Sequence, residues 1–207
     1  MTHTLHRRGS EENLKKDYVL LCMAAKGINE EGSEEKMREF LRINLRHNPV
    51  NIGDMRTGNM YNVPVDEIME KVTSTSIVHG VFTDQDTVTN VLKDLKKADL
   101  GLSVVVSGPF SCVGELCQAA GLRPHSVDYS GAIWGKRDQL PSDEILEVTT
   151  MCGHAMVATN LVQSLIDEIK AGERSAEDAG KELARVCECG IFNPVRAAEL
   201  LRELSSK

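Results

Sequence analysis

From Tyr18 to Ala25 the chain is almost unbroken in apolar side chains, the pattern of a strand covered on both faces, and Lys26-Gly27 closes it. Met37, Phe40, Leu41 and Leu45 then recur at helical spacing after Ser33, which predicts a helix capped by that serine. Pro49, Gly53, Gly58, Asn59 and Pro64 predict a long loop over 48–64, a length that in a compact domain marks a functional or mobile segment. A short helix near Val65–Val72 precedes a second strand, Ser76–Phe82. Asp84 caps a helix with Val88, Val91, Leu92 and Leu95 on one face, and Leu102–Val106 is a β-branched third strand. The turn Ser107-Gly108-Pro109-Phe110 leads into a short helix ending at Ala120. Val127 and Tyr129 alternate with polar residues in a fourth strand leading to Trp134. From Ser142 the period is helical to the end. A helix over Ala155–Ala171, a break at Gly172-Glu173-Arg174 and a return over Ala176–Val186 form a hairpin. Asn193-Pro194 starts the last helix.

About four strands alternating with helices define an α/β layer, followed by an all-helical C-terminal segment. A parallel, flavodoxin-like order and a ferredoxin-like α+β order both fit. The expected organisation is an N-terminal arm over 1–16, an α/β domain over 17–138 and a helical subdomain over 139–207.

Composition narrows the function classes. The chain has 207 residues, 41% of them hydrophobic but only 4% aromatic, so one sizeable core must be built from aliphatic side chains. The formal net charge is −7, and no basic tract is interleaved with aromatics, which argues against nucleic acid as partner. No segment approaches the ~20 apolar residues that cross a bilayer, and acidic residues follow the N-terminus where a secretory signal has its apolar run. A cytoplasmic protein follows as the expectation, acting on a small molecule, with homo-oligomerisation left open. In a reducing compartment the six cysteines read as ligands, reactive thiols or buried small hydrophobes, not disulfides.

The chemistry concentrates in Met151-Cys152-Gly153-His154 and Cys187-Glu188-Cys189-Gly190, on either side of the helical hairpin. At ~1.5 Å per residue the first helix climbs about 25 Å and the second returns about 16 Å. A short extended stretch at ~3.3 Å per residue covers the remaining ~9 Å, so the two ends can meet. Cys152, His154, Cys187 and Cys189 make a Cys3His set for zinc or an iron–sulfur cluster, with Cys112 and Cys117 available to complete a cluster. His3 and His6 join such a site if the arm folds back. A metal- or cluster-binding protein with a redox, metal-assisted or accessory role is the first reading, and whether it is an enzyme stays open.

A metal-free reading uses Cys152 or Cys112 as acid/base or nucleophile. Met151-Cys152-Gly153-His154-Ala155 resembles the motif around one catalytic cysteine of the proline racemase and phenazine-biosynthesis-like families. There a Cys-Gly-His or Cys-Gly-Asn opens a helix, and in the racemases the thiol moves a proton at an α-carbon. The resemblance implies that role for Cys152, at a helix N-terminus that lowers its pKa. The racemases' second motif, Cys-Gly-Thr-Gly-Thr, has no counterpart here. A third reading is a non-catalytic small-molecule module. Its pocket lies at the carboxyl ends of parallel strands, lined by Gly27, Ser107, Gly108 and Ser111, with Lys26 supplying charge. His79 reads as a core histidine.

Overall fold

The apolar run at Tyr18 forms β1 (Tyr18–Met23) and takes partners on both sides, β4 (Ile77–Phe82) and β5 (Ser103–Ser107). Outside β4 lie β2 (Asn51–Asp54) and β3 (Gly58–Asn59), giving one sheet in the order β3-β2-β4-β1-β5 with every pair antiparallel. The structure is a computed structural model that describes Thr4, residues 6–131 and residues 133–207. His3 lies outside the described residues.

Nine α-helices occur among the described residues: α1 (Glu11–Leu14), α2 (Ser33–Arg46), α3 (Val65–Glu70), α4 (Gln85–Ala98), α5 (Phe110–Ala119), α6 (Asp143–Thr149), α7 (Thr159–Lys170), α8 (Ala176–Val186) and α9 (Pro194–Ser205). The antiparallel sheet reconciles with helical crossovers because two units interleave. β1 and β2, joined through α2, run the same way with β4 between them. β4 and β5, joined through α4, run the same way with β1 between them. Each crossover links parallel strands, yet every neighbour is antiparallel. The parallel order considered above is therefore not adopted.

Side chains alternate across the sheet with period two. Tyr18, Leu20 and Cys22 of β1 join Ile52, Val78 and Phe82 against α2, α3, α4 and α5. Val19 and Val81 face the other way, into a cluster built from α6, α7, α8 and α9. The helical C-terminal part thus covers the second face of the sheet. Its helices carry side-chain caps: Ser175 accepts from the Asp178 N–H at 3.0 Å, and Asn193 from the Arg196 N–H at 3.0 Å. No helix among the described residues is long and apolar enough to cross a membrane.

Four sequence expectations change. The loop over 48–64 contains the β2–β3 hairpin, missed because its buried residues include Asn51, Asp54 and Asn59, which read as polar loop. No strand forms at Val127 and Tyr129, which are 58% and 76% exposed; with no sheet neighbour, their alternation carries no ladder. α7 starts at Thr159, not Ala155. Ser33 is the first helical residue instead of the cap, with its hydroxyl donating to the Glu30 carbonyl at 2.7 Å.

Candidate functional site

Between α6 and α7 the chain crosses nine residues of irregular backbone, 150–158, and Cys152 sits there. It does not open a helix, so the helix-start role implied by the racemase resemblance does not apply. The loop supplies the electrostatics instead. Ala155 takes a left-handed conformation with φ of 56°, and its N–H closes a turn on the Cys152 carbonyl at 3.1 Å. The N–H groups of His154, Met156 and Val157 bond the Cys152 sulfur.

Cys187 ends α8, and the Gly190 N–H bonds its carbonyl at 3.2 Å, closing a turn around Glu188. That turn brings the sulfurs of Cys187 and Cys189 to 3.9 Å. Cys189 Sγ lies 3.6 Å from His154 Nδ1, and Cys187 is in side-chain contact with Cys152. All three cysteines are buried, whereas His154 is exposed on its loop. The structure brings together Cys152, His154, Cys187 and Cys189. Among the described residues, no three His, Cys, Asp or Glu side chains already surround a common point as ligands of an ion. The contacts run as an open chain from Cys152 through Cys187 and Cys189 to His154.

The three sulfurs share protons as one unit. Cys187 is hydrogen-bonded to Cys152 and Cys189, and these contacts with burial hold its own proton far above the usual thiol range. The same hydrogen bond draws Cys152 down to about 6 against the cost of burial, with the loop N–H groups adding to it. Cys189 is drawn down to about 7 by Cys187, then by the Ile191 N–H and by His154. Thiolate is the ligating and nucleophilic form of cysteine, and two of the three are biased toward it.

The hairpin missed in the sequence holds this arrangement. Asn59 Nδ2 donates to the carbonyls of Ala184 at 3.0 Å and Cys187 at 2.9 Å, capping the end of α8. Asn51 Nδ2 donates to the Phe192 carbonyl at 2.9 Å. Gly53 and Gly190 touch backbone to backbone: a Cβ on Gly53 would lie 2.8 Å from the Cys189 oxygen. The pairing of buried Asn with Gly in a short segment is the signal that marks such a support.

The other sequence candidates lie elsewhere. Cys112 and Cys117 are on α5, packed on the opposite face of the sheet, so they do not complete a cluster with the C-terminal cysteines. The Lys26–Ser107 pocket does not form. Met23 pairs with Ser103 and Val19 with Ser107, so Lys26 and Gly27 leave one end of the sheet while Ser107, Gly108 and Ser111 lie at the other. Ser107 Oγ contacts Thr4 Oγ1 at 2.7 Å. His6 Nδ1 is 3.3 Å from Ser130 Oγ, not at the cysteines. His79 is buried in β4 opposite Gly53. No family model matches the chain, and neither a curated protein nor a solved structure is significantly similar to it.

Proposed function

We propose that Cys152, Cys187, Cys189 and His154 bind one thiophilic metal ion, zinc first among them, in a cytoplasmic protein that performs metal-assisted chemistry on a small molecule. The observation that carries this reading is a pair of distances. Zn–S bonds of ~2.3 Å and a Zn–N bond of ~2.0–2.1 Å at tetrahedral angles put two sulfurs about 3.8 Å apart and a sulfur and a nitrogen about 3.6 Å apart. The Cys187–Cys189 and Cys189–His154 contacts are 3.9 Å and 3.6 Å. Loading the ion requires the Cys152 and His154 side chains to rotate and close the remaining edges. A single ion suits these contacts better than a four-iron cluster, in which each cysteine holds its own iron and the sulfurs stand apart. Three buried thiolates fix the ion, and the exposed His154 is the ligand that a small molecule can displace to reach it.

A second reading rests on the proton that Cys187 shares with its neighbours: a thiol beside two thiolates is an acid/base set that needs no metal. Metal analysis separates the two. Anaerobically purified protein is expected to hold one ion per chain, and cobalt substitution to give thiolate-to-cobalt charge-transfer absorption. Cys187→Ser should lose both, while His154→Ala keeps the charge-transfer band and gains affinity for added imidazole. Metal-free protein that cannot be loaded, with thiol-dependent turnover, would favour the second reading.

A further inference from the structure

The N-terminal arm carries a buried ion cluster beside the cysteine loops. The Asp17 side chain, just ahead of β1, is fully buried and pairs with two cations, Arg196 of α9 at 2.8 Å and Arg7 of the arm. Arg196 is itself fully buried, and it also reaches Asn13 and the Arg8 carbonyl. Two guanidiniums on one carboxylate leave one positive charge away from water, which is costly unless another group offsets it. Glu147, half-buried near Arg196, offsets part of that charge at a distance but forms no ion pair among the described residues.

The remaining contacts of Arg7 point to a further source of offset. Its guanidinium donates to the carbonyl of Met151 at 3.3 Å and to that of Ile191. Met151 precedes Cys152, and Ile191 is the second residue after Cys189. One planar fork, whose geometry a lysine cannot copy, therefore bridges the two loops that carry the sulfurs.

We infer that Arg7 is a positioning residue of the metal centre: it pins the two cysteine loops together and supplies the positive charge that the loaded centre requires. This rests on the metal reading above. Three thiolates and a neutral histidine around a dication carry one net negative charge, and the Arg7–Asp17–Arg196 cluster carries one net positive charge at their base. Outer contacts of this kind orient ligands and tune affinity.

The test uses full-length protein, cobalt titration read by charge-transfer absorption, and chelator competition, with thermal unfolding of the apo forms in parallel. Arg7→Gln leaves Asp17 and Arg196 as a matched pair. It should bind cobalt roughly 10–100-fold more weakly, the range for outer-contact substitutions. Arg7→Lys keeps the charge without the fork and should fall between Arg7→Gln and wild type. Wild-type affinity in Arg7→Gln would overturn the inference while leaving the metal reading intact, and Arg7→Lys as weak as Arg7→Gln would overturn its charge component. Should Arg7→Gln not fold, Arg7→Lys decides alone, and wild-type affinity in it overturns the inference. Failure of wild-type protein to bind cobalt through its thiols would overturn both.

Discussion

Replacing Gly190 with alanine tests how tightly the sheet holds the Cys189 loop. Gly190 has φ of 80°, and a Cβ there would lie 2.9 Å from both Cα and N of Gly53 and 3.0 Å from the Ile52 carbonyl carbon. Every one of these atoms is backbone, so no side chain can swing aside. A left-handed conformation costs a residue with a Cβ about 1–2 kcal/mol. Overpacking a tight contact adds about 1–3 kcal/mol. The expected loss is therefore about 2–5 kcal/mol, and at ~2–4 °C per kcal/mol for a chain of this size the midpoint should fall by roughly 4–20 °C. Gly53→Ala meets the Cys189 and Gly58 oxygens at 2.8 Å, but Gly53 is not in the left-handed region, so only the ~1–3 kcal/mol of overpacking applies. Both substitutions push apart the same two strands of backbone, so the double variant should lose less than the sum, by about 0.5 kcal/mol or more. Thermal and denaturant unfolding of the four proteins, all metal-free, measures this cycle. A Gly190→Ala loss within ~0.5 kcal/mol, the size of an ordinary surface change, would refute the contact. Strict additivity would show that the two glycines are not packed on each other.

Asp17→Asn should destabilise the protein by about 3–5 kcal/mol in denaturant titration, because Arg7 and Arg196 are left without a buried counterion; a loss under ~1 kcal/mol would contradict that. In metal-free protein a small alkylating reagent should label Cys152 before Cys22. Cys152 is drawn down to about 6 and its rate should level off roughly one pH unit above that, whereas burial pushes Cys22 up to about 12 and keeps it a thiol. Peptide mapping across a pH series reads both, and equal labelling of the two would show that the loop N–H groups do not hold a thiolate. Metal loading should protect Cys152 and leave Cys22 unchanged.

The parts of this fold that were legible in the sequence are those whose burial is apolar. Tyr18–Met23, Ile77–Phe82 and Ser103–Ser107 announce themselves by aliphatic content, and α4 by Val88, Val91, Leu92 and Leu95 on one face. The β2–β3 hairpin was not legible, since its burial depends on partners distant in the chain: Asn51 on Phe192, Asn59 on Ala184 and Cys187, and Gly53 on Gly190. Val127 and Tyr129 show the reverse failure, an alternation with no sheet to receive it. Strand direction was also hidden, because a helical crossover fixes the relation of the strands it joins and says nothing of a strand inserted between them. The approach of the cysteines was expected from helix-length arithmetic; α7 starts later than that arithmetic assumed, and the irregular stretch over 150–158 carries the rest of the path. The source of Cys152's thiolate character was not readable, since the donors come from a loop closed by Ala155 instead of a helix end. Nor was Arg7, a charged residue in a polar arm whose partners lie 10 to 184 residues away.

X-ray absorption at the zinc edge of anaerobically purified protein loaded with one equivalent of zinc tests the central claim most directly. The account predicts three sulfur neighbours at ~2.3 Å and one nitrogen at ~2.0–2.1 Å, with the nitrogen replaced by another light ligand in His154→Ala and a sulfur lost in Cys187→Ser. A first shell of oxygen and nitrogen alone, or a shell unchanged by Cys187→Ser, would contradict it.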